Sequence, residues 1–352
     1  MNGATAADLL EIARSSAARG DLAGQTTAVD RVLAVQPQNA AALLMKGDIL
    51  TKRGDLRGAV AFYAAVVRQR AASNSGVSDQ DFERVRDLLD RFAREFEDHI
   101  RAELASQGFA GKNLPGRFSR ALDILVGKKR VYQQQPRHLF VPELAPVQFF
   151  ERTDFPFLDR VEDAFSTIRA ELDYVMATAT GFEPYVKAAA NRPPSTQGGL
   201  AGNDAWSAFF LIKDGEVTAG GQHCPATLAA LDGAPLARIP NHSPLVLFSK
   251  LAGGAHIPAH TGMINTRLIC HLPLIAPVGC HFRVGNELRT WENGKAWVFD
   301  DTIEHEAWNR SSEDRTILLF DIWRPDLTPD EREAFTALCV AIEKYSPDQD
   351  WH

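Results

Sequence analysis

The chain has 352 residues, 45% of them hydrophobic and 24% charged, which is enough for two packed domains. Its net charge of −7, with Lys and Arg scattered rather than clustered, argues against a nucleic-acid binder. Four cysteines, Cys224, Cys270, Cys280 and Cys339, form no CxxC pair, which excludes a zinc knuckle, a dithiol redox motif and a disulfide scaffold.

The N-terminal stretch MNGATAADLLEIARSS carries acids early and lacks a basic stretch followed by an apolar core, so no signal peptide is expected. No apolar run approaches the roughly 20 residues of a membrane span. The expectation is a cytoplasmic protein with no membrane span.

The first seventy-odd residues read as Ala-rich helices, and they repeat. Arg19-Gly20-Asp21-Leu22 returns as Arg53-Gly54-Asp55-Leu56, 34 residues on, and Gly24 returns as Gly58. That period is the one of tetratricopeptide helix–turn–helix repeats. Each tetrad then sits at the tight turn inside a unit, and Asn39 is an N-cap candidate between units. A capping helix is expected from Asp79 to about Gln107, where Phe82, Val85, Leu88, Leu89, Phe92 and Phe96 recur at helical spacing.

Residues 108–160, punctuated by Gly and Pro, read as a linker with a short helix, and the domain boundary is placed near 130–145. A helix is expected at about 157–177. Residues 190–204 (ANRPPSTQGGLAGND) read as a mobile loop and a lid candidate. From Trp206 the pattern changes to strands: Trp206–Lys213, Pro244–Lys250, Asn265–Ile275, Cys280–Val284, Lys295–Phe299 and Arg315–Trp323. Short strands without intervening helices predict an antiparallel sandwich or jelly roll. A last helix is expected at Pro329 to about Lys344.

The predicted organisation is α+β and multidomain. Residues 1–130 form helical tetratricopeptide-like repeats, and residues 131–352 form a double-stranded β-helix (a cupin-like jelly roll) with its core at 206–325.

Candidate chemistry gathers in three stretches: Ser249 to Gly262, Arg267 to His271, and Phe299 to Arg315. A non-haem iron accepts imidazole and carboxylate ligands and must keep positions open for a co-substrate and O₂. His260 and His305 lie 45 residues apart, each at the edge of a strand pattern, as two ligands meeting across a barrel mouth would. Arg315 opens the next strand, and its planar guanidinium suits a carboxylate. Arg267, Ile269 and His271 share one face of their strand by alternation.

The stretch HTGMINTRLICHLPL…GCHFRVGNELRTWENGKAWVFDDTIEHEAWN…DRTILLFDIWRPDLTPDER resembles the aspartyl/asparaginyl β-hydroxylase family, with looser similarity back to Trp206. Some members of that family carry tetratricopeptide repeats ahead of the oxygenase domain. The resemblance implies a dioxygenase using Fe(II), 2-oxoglutarate and O₂. It implies His260 and His305 as the metal ligands and Arg315 as the partner of the 2-oxoglutarate carboxylate. Trp206, Ser249 and His271 are implied as further co-substrate contacts. The implied reaction is hydroxylation of a C–H bond. Concave helical repeats commonly hold peptides or proteins, so the expected substrate is a peptide or protein, oxidised at the β-carbon of an Asp- or Asn-like residue. Other branches of the family act on free or carrier-bound amino acids or on lipid acyl chains.

Two positions bear on this reading. Gly262 stands where a facial carboxylate often stands; the family shares this gap, which related halogenases use for chloride. Ile269 stands where members acting on acidic side chains have an arginine, and Arg267 or Arg283 are the nearby cations that would have to replace it. A halogenase is a further enzymatic alternative, and a repeat adaptor without activity is the non-enzymatic one. Asp300, Asp301 and Glu304 are read as turn and surface residues. His256 is read as a loop residue, and Trp291, Trp297, Trp308 and Trp323 as packing.

Overall fold

Two local devices explain the RGD repeat. In the computed structural model, which describes residues 4–72, 77–178, 181–186 and 203–345, helix α1 (Ala6–Ala18) turns into α2 (Leu22–Val35) through Gly20 at φ 73°. Helix α3 (Ala40–Lys52) turns into α4 (Leu56–Ala72) through Gly54 at φ 77°. Only glycine adopts that left-handed backbone without strain. The Asp that follows each glycine caps the next helix: Asp21 accepts from the Gly24 amide at 2.8 Å, and Asp55 from the Gly58 amide at 2.9 Å. A Cβ at Gly24 or Gly58 would lie 2.1 or 2.6 Å from the capping carboxylate, so both positions of the repeat need glycine. Asn39 caps α3 as expected.

Leu9, Ala13, Val29, Val32, Ala42 and Ile49 form the core between these helices. Helix α5 (Asp79–Ser106) packs Val85 and Phe92 with Ala59 and Tyr63, and α6 (Gly116–Leu125) follows. The chain divides into two compact units, Met1–Lys129 and Arg130–His352.

In the second unit the predicted strands form, together with shorter ones that the sequence pattern does not reveal. The strands are β1 (Glu183–Pro184), β2 (Trp206–Lys213), β3 (Glu216–Val217), β4 (Val246–Leu251), β5 (His256–His260), β6 (Arg267–Ile275), β7 (Cys280–Val284), β8 (Glu287–Thr290), β9 (Trp297–Phe299), β10 (His305–Asn309) and β11 (Arg315–Trp323). One sheet runs β1-β2-β4-β11-β6-β9, with β3 on β2; the second runs β5-β10-β7-β8. The strand pairs are antiparallel, giving the expected double-stranded β-helix.

Two cores follow from side-chain alternation. Between the sheets lie Trp206, Leu247, Ile257, Phe282, Phe299 and Ile317. On the other face of the larger sheet, Phe209, Phe248, Leu272 and Phe320 pack with residues of α7 (Leu158–Asp163), α8 (Phe165–Thr178) and α9 (Pro225–Ala230). The helix expected at 157–177 is thus two helices. The closing helix is α10 (Pro329–Tyr345), which packs Phe335 and Cys339 against Trp323 and Leu327.

Part of the stretch read as linker belongs to the barrel. Gln135 and Arg137 donate their amides to Thr302 and Gly262, Leu139 bridges Ile264, and Phe149 bridges Phe299. Of the lid candidate at 190–204, all but the last two residues lie outside the described residues. No described helix is long and apolar enough to cross a membrane.

Candidate active site

His260 and His305 are direct cross-strand partners on β5 and β10, and their ring centroids lie 4.1 Å apart. The register slips by one residue beside them, a bulge of the kind that re-aims side chains at a barrel rim. Each ring is oriented by a backbone carbonyl: His260 Nδ1 donates to Pro258 O at 2.7 Å, and His305 Nδ1 to Ile303 O at 3.0 Å. A carbonyl only accepts, so Nδ1 holds the proton and each Nε2 keeps its lone pair. Burial holds both imidazoles below their ordinary pKa, and His260 also feels the Arg137 charge while His305 feels His260. Two neutral imidazoles with free Nε2 atoms and fixed Nδ1 atoms are what a metal requires of histidine ligands. Among the described residues no third His, Cys, Asp or Glu joins them in a metal-binding cluster.

The place of a facial carboxylate is filled in another way. A Cβ at Gly262 would lie 2.0 Å from Asp301 Oδ2, so the Asp301 carboxyl occupies the space a side chain at 262 would take. Its pKa is pushed up to about 7 by burial, with Asp300 and Asp321 adding to the effect and Arg267 and Arg137 opposing it. The turn read at Asp300 and Asp301 forms, with the Thr302 amide donating to Asp300 Oδ1 at 3.0 Å, but Asp300 is not a surface residue. Asp300 is fully buried, accepts from Thr302, and pairs with Arg324 at 2.8 Å.

Arg315 opens β11 and is 1% exposed. Its guanidinium lies over the Trp291 ring, 4.8 Å from the centroid, and its Nε has no hydrogen-bond partner. Among the described residues no carboxylate pairs with it, and burial lowers its pKa to about 10, which leaves it charged at neutral pH. A buried, unpaired cation is costly, so this one is built to meet an anion.

His271 lies on β6 beside it, in register with Leu319 of β11 and Trp297 of β9. It packs on Phe282 and Phe299, is held neutral by burial and by the Arg315 charge, and has an unpartnered Nδ1. Trp291 Nε1 is likewise buried and unpartnered. Three orphaned polar side chains, from Arg315, His271 and Trp291, thus share one lining, and they fit a bound carboxylate ligand. The sequence reading took Trp291 as packing alone; only its contact with Arg315 marks it.

Trp206 and Ser249 complete the set. They lie on adjacent strands, and Trp206 Nε1 donates to Ser249 Oγ at 3.1 Å, leaving the Ser249 hydroxyl proton free to donate. The Trp206 ring lies 6.1 Å from His260 and stacks on Tyr185. All six sequence-derived site residues therefore fall on strands that line one interior.

The two cations suggested to replace an arginine at Ile269 are already engaged. Arg267 is buried against Asp321 at 2.7 Å. Arg283 pairs with Glu306 and, at 2.8 Å, with Glu304. His256 stacks on Trp308 and reaches Glu306 at 3.2 Å, a rim contact rather than a ligand position.

Comparison with known proteins finds similarity over the segment that carries these residues. Residues 162–325 match the family model for aspartyl/asparaginyl beta-hydroxylase. The mouse aspartyl/asparaginyl beta-hydroxylase is 45% identical over 94 residues, 26% of this chain and 13% of that protein. The ornithine lipid ester-linked acyl 2-hydroxylase of Rhizobium tropici is 32% identical over 185 residues, 51% of this chain and 62% of that protein. Human aspartate beta-hydroxylase domain-containing protein 2 is 31% identical over 211 residues, 57% of this chain and 54% of that protein. The chain spans less than two thirds of the length of each of these relatives. Residues 162–325, which lie in the second unit and hold all six of the sequence-derived site residues, are thus the part of the chain similar to the aspartyl/asparaginyl β-hydroxylase family.

Proposed function

We propose that the unit Arg130–His352 is an Fe(II)- and 2-oxoglutarate-dependent hydroxylase. The observation that carries the proposal is Arg315, a fully buried guanidinium without a carboxylate partner among the described residues, on the interior that also holds the His260–His305 pair. His260 and His305 would hold the iron through their Nε2 atoms. Arg315 would fix the distal carboxylate of 2-oxoglutarate by two parallel hydrogen bonds. His271 and Ser249 would donate to the same co-substrate, and Trp206 keeps the Ser249 hydroxyl aimed. Ile257, Phe282, Phe299 and Ile317 wall the site and keep bulk water from it. When bound, the iron supplies oxygen activation at the expense of oxidative decarboxylation of 2-oxoglutarate to succinate and CO₂. The protein's part is to bind, orient and exclude.

The substrate in this reading is an Asp- or Asn-like residue of a peptide or protein, oxidised at the β-carbon. The RGD-punctuated helical unit is read as two tetratricopeptide-like repeats that hold the peptide. A cytoplasmic location belongs to the same proposal. The test is direct: purified protein with Fe(II), 2-oxoglutarate and O₂ forms succinate, coupled to the addition of one oxygen atom to a peptide substrate. Intact-mass screening of host-lysate peptides finds that substrate. Unchanged succinate formation by His305→Ala would refute the assignment.

A further inference from the structure

Four cations stand out on or beside this site, and three have an assigned task. Arg315 is inside, Arg267 is neutralised by Asp321, and Arg283 by Glu304 and Glu306. The fourth, Arg137, is exposed, and its side chain has no hydrogen bond or ion pair among the described residues.

Its place in the fold is fixed by the backbone. The segment 135–139 is pinned beside the ends of both histidine-bearing strands. The Gln135 amide donates to Thr302 O at 2.7 Å, three residues before His305. The Arg137 amide donates to Gly262 O at 2.9 Å, two residues after His260, and the His138 amide to Met263 O at 2.9 Å. Arg137 therefore leaves the chain beside Gly262, where the Asp301 carboxyl fills the space of the missing side chain. The Arg137 charge is felt at both the His260 ring and the Asp301 carboxyl, which brings the guanidinium within electrostatic reach of the site. Carboxylates within hydrogen-bonding distance engage Arg267 and Arg283; among the described residues none does so for Arg137, whose effect on Asp301 is electrostatic only. A guanidinium anchored by its backbone, free at its tip and next to a reaction centre is a recognition element for an anion.

We propose that Arg137 is a specificity-determining residue, pairing its guanidinium with a carboxylate on the molecule presented to the two-histidine site. It would supply from the segment 135–139 the cation that Ile269 does not supply from β6. The inference rests on the hydroxylase reading above, and its test separates the two.

Two matched probe pairs serve: a capped pentapeptide with a central Asp or Asn, and an N-acyl amino acid with a free or an amidated carboxyl. Affinity is measured by calorimetry under argon with Fe(II) and 2-oxoglutarate present, where no turnover occurs. KM and kcat are then measured in air by the addition of one oxygen atom. The wild type should favour the carboxylate member of at least one pair, and the pair that responds identifies the source of the carboxylate. Arg137→Gln should weaken that member by about tenfold to a hundredfold, in affinity and KM more than in kcat, with little change for its amide. Arg137→Lys should recover part of the loss. Equal binding of acid and amide by the wild type, or no binding of either, overturns the proposal. So does an Arg137→Gln variant that weakens acid and amide alike. Failure of the hydroxylase reading shows separately, as no succinate formed from 2-oxoglutarate by the wild type with any probe.

Discussion

Replacing Arg315 by Met should have two effects of opposite kind. Methionine keeps much of the length and removes the charge. In the complex with 2-oxoglutarate, the loss is two parallel charge-assisted hydrogen bonds, each worth about 1.5–3 kcal/mol. Together that is about 3–6 kcal/mol, or roughly two to four orders of magnitude in affinity. In the ligand-free protein the same substitution removes a charge that is 1% exposed and has no carboxylate partner among the described residues. Stability should therefore hold or rise, because a buried ion replaced by an apolar group is often neutral or favourable. Arg324→Met is the control. Arg324 and Asp300 are both 0% exposed and pair at 2.8 Å, so removing one member strands the other at a cost of about 3–5 kcal/mol. The assays are calorimetric titration of 2-oxoglutarate onto Fe(II)-loaded protein under argon, and thermal unfolding of the metal-free protein. An Arg315→Met variant that melts several degrees lower yet binds 2-oxoglutarate normally would refute the reasoning, because Arg315 would then be structural.

Three further outcomes are expected. Gly262→Ala places a methyl 2.0 Å from Asp301 Oδ2, and thermal unfolding should show a loss of about 1–3 kcal/mol that Asp301→Ala largely restores in the double variant. Gly20→Ala and Gly54→Ala force a side chain into φ 73° and 77°, and each should cost about 1–2 kcal/mol in the helical unit, by similar amounts if the two turns are equivalent. The Asp301 carboxyl, pushed up to about 7 from an ordinary 3.8, prefers its proton in the folded state. Its contribution is fully present below the unfolded value and lost as pH rises through about 4 to 7, so Asp301→Asn should flatten that decline in the unfolding of metal-free protein.

Legibility from sequence followed the physics of each element. Strands β6 and β11 were visible because both faces are buried, which produces apolar runs broken only by His271 in β6 and Asp321 in β11 once past their first residues. Strands β5 and β10, which carry the two histidines, were not. They are five residues each; β5 contains Pro258 and is largely exposed, and β10 alternates in burial but turns His305, Ala307 and Asn309 inward, so residue type does not reveal the period. The histidines were legible only through their surrounding residues. Helices α7 and α8 merged into one expectation because the break at Ala164 has no Gly or Pro to announce it. The engagement of Arg267 by Asp321 and of Arg283 by Glu304 and Glu306 spans long sequence separations that only strand register reveals. For the same reason Arg137 went unnoticed. It lies in a Pro-interrupted stretch that reads as linker, and its position follows from amide bonds to Gly262 and its neighbours.

The central claim is that His260 and His305 bind an iron whose coordination is completed by 2-oxoglutarate held on Arg315. Anaerobic titration of the protein with Fe(II) and then 2-oxoglutarate tests it most directly. The account predicts one Fe(II) per chain and a visible charge-transfer band that grows with 2-oxoglutarate, with both lost in His305→Ala. In Arg315→Met, iron binding should persist while the band requires far more 2-oxoglutarate. Stoichiometric iron binding by His305→Ala, or a wild-type protein that binds iron without any response to 2-oxoglutarate, would contradict it.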